Sequence, residues 1–247
     1  MKSPPNQKSP SLGDKTKYYQ KQTIVDRYDD HRFGERSGRW VQESEENAME
    51  FLMNQIDTSS GNRALDLPTG TGRMIPILRK RFDCVLACDL SSVMLEKAKL
   101  KKADYYFLAT GSQLMLKSQC IDFILASRFI FHFSDPSVYL KEMNRVLKEN
   151  AYLLFDAYNW TPRIWIPGKQ AQWGGRVHVH SKREIENLAN ESGFRVVDSR
   201  GIFVITPYLY RYLPFFLVKW IETLGSRLLP GLKTKTYYLL KKNKLDP

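Results

Sequence analysis

Cysteine and histidine are scarce in this chain: three and four among 247 residues. Cys84, Cys88 and Cys120 all fall in apolar, strand-like runs. They read as reduced, buried thiols of a cytoplasmic protein, not as disulfides or metal ligands. His31, His132, His178 and His180 have no convincing ligand partners. His178 and His180 would share one strand face, but two histidines are weak grounds for a metal, and none is expected. No uninterrupted apolar stretch reaches the roughly 18 residues that cross a bilayer. The polar, Lys-, Pro- and Ser-rich N-terminus shows no signal-peptide pattern.

Acidic residues are few for the number of bases, and the net charge is +12. The imbalance is local. Residues 1–17 carry four lysines against Asp14, and residues 207–247 carry eight Lys/Arg against Glu222 and Asp246. Only +3 remains for the 189 residues between them. A charged tail is most often simply solvated. Anionic lipid, and less readily RNA, are the other partners such ends suit.

One run stands out among what is present. Ala64-Leu65-Asp66-Leu67-Pro68-Thr69-Gly70-Thr71-Gly72-Arg73 is an apolar strand ending in an acid, then a Gly-rich turn, then a helix start. Amides at such a start favour an anionic ligand group, and glycine lets that group come close. The dinucleotide fingerprint needs a small residue three positions after Gly72, where Ile75 stands. A Walker loop needs lysine where Arg73 stands. A second acid ends the next apolar run, Cys84–Asp89, 23 residues after Asp66. That is close to the spacing of a ribose-binding acid. A plainer account is that Asp89 ends a strand and precedes a helix capped by Ser91.

Acid-x-x-x-Gly-x-Gly at a strand end, followed by Asp89, resembles the class I S-adenosylmethionine-dependent methyltransferases, from roughly Tyr28 to Glu149. The resemblance implies S-adenosylmethionine as cofactor. It places Asp66, Pro68, Thr69, Gly70 and Gly72 around the amino-acid end of the cofactor, and Asp89 with Leu90 at its ribose. Thr110 and Gly111 stand where the family often carries an acid for the adenine amino group. Ser127 and Arg128 would flank the cofactor, and Tyr28, with Arg32 and Phe33, would fold over it as a lid. Pro68 replaces the first glycine of the usual motif and cannot donate a hydrogen bond. His132 is the candidate proton acceptor for a hydroxyl nucleophile. The alternative, which the pattern favours, is that His132 bonds a nearby carbonyl and shapes its loop.

The rest of the chain reads as alternating elements. Strands are predicted at 63–67, 84–89, 105–109, 121–126 and 151–157, and helices at 73–81, 91–102 and 136–148. Residues 1–15 read as a disordered tail. Residues 16–28 read as a short helix, 30–39 as a loop, and 40–56 as a helix; together 16–57 form a helical lid. Ser181 caps a helix, Phe194 begins a strand, and Thr236–Leu240 forms the last strand. These alternations imply a Rossmann-like, doubly wound α/β sheet of seven strands, with helices on both faces. The resemblance makes the last strand antiparallel, inserted between the fifth and sixth, and makes 16–247 one methyltransferase domain.

Two stretches fit the pattern less well. Trp160–His180 is rich in aromatics, with Trp160, Trp165 and Trp173, and suits the wall of a substrate pocket. Residues 207–232 form an apolar insertion that packs on the core, lines a lipophilic pocket, or meets a membrane with Lys219 and Arg227 snorkelling. The residues after the fourth strand are not the Asn/Asp-Pro-Pro-aromatic motif of base-amine methylation. No Pro-Cys or Thr-Cys pair is present for pyrimidine C5 chemistry. The expected activity is methyl transfer to a small or lipid-like acceptor. A nucleic-acid methyltransferase and a non-catalytic cofactor-binding protein are the alternatives.

Overall fold

The computed structural model describes residues 25, 36–56, 62–161, 177–229 and 231–244. The expected tail 1–15, the lid residues Tyr28, Arg32 and Phe33, and Trp165 and Trp173 lie outside them. In chain order the elements are α1 (Arg36–Met53), β1 (Arg63–Asp66), α2 (Ile75–Arg79), β2 (Cys84–Asp89), α3 (Ser92–Ala98) and β3 (Tyr105–Leu108). They continue with β4 (Ile121–Ala126), α4 (Ser137–Val146), β5 (Leu147–Tyr158), α5 (Lys182–Glu191), β6 (Phe194–Ile202), α6 (Phe215–Leu228) and β7 (Lys235–Lys242).

The seven strands form one sheet in the order β3-β2-β1-β4-β5-β7-β6. Strands β1 to β5 pair in parallel, whereas β7 is antiparallel to both β5 and β6. The chain turns outward to β2 on one side of β1 and returns on the other side at β4. The carboxyl ends of β1 and β4 therefore flank the crevice where open α/β sheets bind ligands.

Burial follows the two-residue period of the strands. Leu65, Cys88, Ile124 and Phe155 face one side, with Leu140 and Met143 of α4 and Ile185 of α5. Ala64, Ala87, Phe123, Leu125 and Leu154 face the other, with Ala48, Met49 and Leu52 of α1 and Ile75 and Leu78 of α2. Both faces of β1, β2 and β4 are thus covered, which is why these strands read as nearly continuous apolar runs.

The element boundaries carry three corrections. Helix α1 begins at Arg36, inside the stretch read as a loop, and Gly38 is buried on its inner face. Helix α2 is shorter than 73–81, because the chain is still turning at Gly72, whose carbonyl accepts from Ile75 N at 3.1 Å. Strand β5 starts at Leu147, directly from α4, with no break residue to mark the change. Ser181 caps α5 as expected, through a reciprocal capping box with Glu184.

The insertion 207–232 forms a 3-10 turn over Pro207–Tyr212 and then α6. Its inner contacts are narrow: Tyr210 and Val218 join Val41 of α1 and Phe203 in a small satellite cluster.

Candidate active site

The turn after β1 is held from three directions. Thr69 N donates to Cys88 O at 2.8 Å, tying the turn to β2. The Thr69 hydroxyl donates to Asp66 Oδ2 at 2.6 Å. Gly70 N donates to Asp89 Oδ2 at 2.8 Å, and Ser91 N donates to Asp89 Oδ1 at 2.9 Å. Asp89 therefore both ends β2 and organises the turn. Each of its oxygens keeps a further lone pair for an incoming hydroxyl. The Leu67–Pro68 peptide is cis, a feature the sequence reading does not contain.

The two glycines do different work. Both have left-handed backbones, with φ of +54° at Gly70 and +79° at Gly72. A Cβ on Gly70 would enter open space, so the backbone there is open to a ligand. A Cβ on Gly72 would stand 3.0 Å from Ala98 Cα and from Ile75 Cδ1. The second glycine, expected beside the cofactor, also lets α3 approach the turn. Gly111 has a comparable packing role, since its Cβ would lie 2.6 Å from the Phe129 ring. Thr110 is exposed, with its hydroxyl 3.2 Å from that of Ser112. Leu90 is partly exposed beside Asp89.

Asp66 and Asp89 are both buried. Burial pushes the Asp66 carboxyl up to about 7, against the pull of the Thr69 hydroxyl, and nearby Asp89 adds to the rise. Burial also raises Asp89, while the amides of Ser91, Gly70 and Leu90 hold it down. Asp66 Oδ1 is buried without a hydrogen-bond partner. The same is true of the Ser127 hydroxyl, just past the end of β4. Two buried polar atoms without partners, and open space above Gly70, thus meet at the carboxyl ends of β1 and β4. They fit a ligand that brings donors to that crevice, as the ammonium and hydroxyls of S-adenosylmethionine would.

Beside this crevice lies a buried ionic cluster absent from the sequence reading. Glu45 of α1 accepts from Arg73 Nη2 at 2.9 Å, Arg128 Nη2 at 3.0 Å and Lys235 Nζ at 2.7 Å. Lys235 Nζ is also 3.0 Å from Asp156 Oδ2 of β5 and 3.2 Å from the Tyr237 hydroxyl. Burial would raise the Glu45 carboxyl, but Arg128, Lys235 and Arg73 together hold it well below the usual range. Burial likewise opposes charge on Lys235, yet Asp156 and Glu45 hold its ammonium protonated well above the ordinary value.

The cluster also fixes the corner after β4. Arg128 has a left-handed backbone, φ +60°, uncommon for a side chain of this size. Its amide donates a short hydrogen bond to Asp156 Oδ1, and its guanidinium turns to Glu45. Arg128, expected to flank a cofactor, sends its guanidinium to this cluster. The signal for Glu45 was available, because an acid sits on the buried face of α1 among Val41, Ala48, Met49 and Leu52.

His132 ends a 3-10 turn, Ile130–His132, half-buried with its ring 4.6 Å from that of Phe131. The buried imidazole of His180 reaches a carbonyl of this loop, with Nε2 3.1 Å from Phe133 O. His178 N donates to Phe131 O at 2.8 Å, and His180 N to Tyr158 O at 2.9 Å. The segment after residue 176 is therefore stitched both to the β4 corner and to the end of β5. Phe129, Phe133 and Tyr139 form an aromatic stack below it, and Phe131 meets Tyr158 at 5.0 Å. Cys84, Cys88 and Cys120 are free thiols, and burial raises Cys88 to about 12. Among the described residues no group of three or more His, Cys, Asp or Glu could hold a metal.

Comparison with known proteins agrees with this geometry. Residues 65–155 match the family described as methyltransferase domain. The chain is 29% identical over 141 residues to a malonyl-[acyl-carrier protein] O-methyltransferase of Marinomonas sp., covering 53% of this chain and 51% of that one. It is 23% identical over 124 residues to a ubiquinone biosynthesis O-methyltransferase of Idiomarina loihiensis, covering 48% and 51%. It spans about half the length of these curated relatives. Geranyl diphosphate C-methyltransferase from Streptomyces coelicolor superposes with a TM-score of 0.67 at 15% identity, over 96% of this chain and 100% of that one. That last likeness is one of fold.

The sheet order, the acid-ended strands and the matched segment point the same way. Over residues 65–155 the chain is similar to the methyltransferase-domain family, and its fold is that of the solved methyltransferase it superposes on.

Proposed function

We infer that this protein transfers the methyl group of S-adenosylmethionine to a small, lipophilic acceptor. The observation that carries the reading is the pair of buried acids, Asp66 and Asp89, ending adjacent strands around the open backbone of Gly70. When bound, the cofactor supplies an already electrophilic sulfonium methyl group. The protein has to hold the reactants in line and keep water out. Asp66 holds the ammonium end, the second lone pairs of Asp89 take the ribose hydroxyls, and Ser127 offers its hydroxyl at the β4 corner. Pro68 and Thr69 set the turn, and Thr110 and Gly111 border the adenine side.

The surroundings support a lipophilic acceptor. Phe129, Phe131, Phe133, Tyr139 and Tyr158 make the region beyond the β4 corner aromatic. A ubiquinone biosynthesis O-methyltransferase among the relatives named above supports the same reading. His132 shapes this loop and is not an obligatory base. The test is transfer of labelled methyl from S-adenosylmethionine to a panel of apolar phenols, quinols, carboxylic acids and prenyl compounds, with short RNA as the contrasting acceptor. Label on one apolar class is expected; label on RNA alone would overturn the reading.

A further inference from the structure

Helix α6 is oriented against the usual rule for a helix lying on a core. Its single acid, Glu222, is turned inward and is 5% exposed. The carboxylate accepts from Val204 N at 2.8 Å, Ile205 N at 3.0 Å and the Tyr210 hydroxyl at 2.7 Å. These three bonds fix the rotation of the helix about its axis. The opposite face then presents Phe216, Trp220, Leu224 and Leu228 at four-residue spacing; Phe216, Trp220 and Leu228 are 74%, 62% and 68% exposed. Such a stripe is about 18 Å long at helical rise. Leu229 and Leu232 extend it, and Tyr212 flanks its start, all more than 45% exposed.

The charges around the stripe are of one sign. Lys219 and Arg227 are exposed on the same helix, and no acid accompanies them on its outer surface. A contiguous apolar surface of this kind marks a place where something binds. A second copy of the chain would set Lys219 and Arg227 against themselves across a two-fold axis, which like charge disfavours. An anionic bilayer complements both the apolar stripe and the bases, and tryptophan suits its interface. Among the described residues no helix is long and apolar enough to cross a membrane, so the contact is one of seating on the surface.

We propose that α6 docks this protein on the surface of an anionic lipid bilayer, inserting Phe216, Trp220, Leu224 and Leu228 between headgroups while Lys219 and Arg227 meet lipid phosphates. The docking surface is mechanically close to the crevice. Val218 of α6 and Tyr210 of the preceding 3-10 turn pack on Val41 and Trp40 of α1, one turn from Glu45. A lipid-soluble acceptor would then be met where the protein is seated. The docking itself does not depend on the methyltransferase reading.

The test is co-sedimentation of the full chain with vesicles of phosphatidylcholine alone, and with about a third phosphatidylserine. The wild type is expected to favour the anionic vesicles by about tenfold or more. The variant Phe216→Ser/Trp220→Ser/Leu224→Ser should lose binding to both vesicle types. Lys219→Glu/Arg227→Glu should lose only the anionic preference. All of these side chains point outward, so circular dichroism and the thermal midpoint should stay near wild type. Failure of the wild type to sediment with anionic vesicles would overturn the proposal. So would unchanged binding by the triple variant. A dimer in sedimentation velocity that the triple variant dissolves, without vesicle binding, would assign the face to self-association instead.

Discussion

Glu45 and Lys235 lie 190 positions apart in sequence and 2.7 Å apart in space. Both are almost fully buried, at 1%. Their contact joins α1 to the start of the inserted strand β7, and it brings Arg73, Arg128 and Asp156 with it. The turn after β1 and the corner after β4, the two walls of the crevice, are thus held by one carboxylate.

Removing that carboxylate leaves three cations around a single remaining acid. Glu45→Gln is expected to destabilise the fold by about 3–5 kcal/mol, the range for breaking a buried pair from one side. Urea unfolding measures it directly. The double variant Glu45→Gln/Lys235→Met should lose less than the two single changes summed, because the stranded ammonium goes too. A loss below about 1 kcal/mol for Glu45→Gln would contradict the role assigned to this cluster.

The two glycines of the turn should separate binding from stability. Gly72→Ala meets the Ala98 backbone at 3.0 Å and a strained φ, so it should unfold more easily, by about 1–3 kcal/mol. Gly70→Ala has open space and bears only the left-handed penalty of about 1–2 kcal/mol. Its methyl group would occupy room meant for ligand, so its affinity for S-adenosylhomocysteine should fall further than its stability. Equal and small losses of affinity in both variants would show that the space above Gly70 is not used.

Asp66 gives a dependence on pH. Its carboxyl is raised to about 7 in the fold, from an ordinary value of 3.8. Between those values the folded chain holds a proton that the unfolded chain has lost, so stability falls as pH rises. Asp66→Asn should therefore gain stability relative to wild type toward pH 8, on the order of a few kcal/mol, with little difference near pH 4. Cofactor binding should run the other way: an ammonium partner favours the ionised acid, so wild-type affinity should rise as pH climbs through 7. Asp66→Asn should show a flat profile. Titrations at several pH values, with thermal melts alongside, test both signs.

His132→Gln should retain most of the methyl-transfer rate, within about tenfold, and keep the shape of the pH profile. A loss of about 100-fold or more, with disappearance of a limb near neutral pH, would assign His132 to proton transfer. His180→Ala should instead loosen the loop by removing the contact to Phe133 O, and should lower the thermal midpoint.

Much of this was legible in the sequence because it is local. The strand at 84–89, the Ser181 cap and the turn after Asp66 are all written in consecutive residues. The place of β7 between β5 and β6 came through the family resemblance. Boundaries slipped where no Gly or Pro marks a change, as at Leu147, or where a turn keeps helical composition, as between Thr71 and Met74. The ionic cluster was not legible as a cluster, since its members come from five separate elements and turns. The one readable signal, an acid at Glu45 on an apolar helix face, is absent from the sequence reading. The spacing of Gly70 and Gly72 gave the turn but not its division of labour, which depends on how closely Ala98 approaches.

The claim at the centre of the account is that the crevice between β1 and β4 holds S-adenosylmethionine through Asp89. Isothermal calorimetry with S-adenosylmethionine and S-adenosylhomocysteine, on wild type and Asp89→Ala, tests it most directly. Both ligands should bind the wild type with one site. Asp89→Ala should weaken binding by about tenfold to 150-fold, the worth of hydrogen bonds to a charged acceptor. No heat of binding from a folded wild type, or equal affinity in the variant, would contradict it.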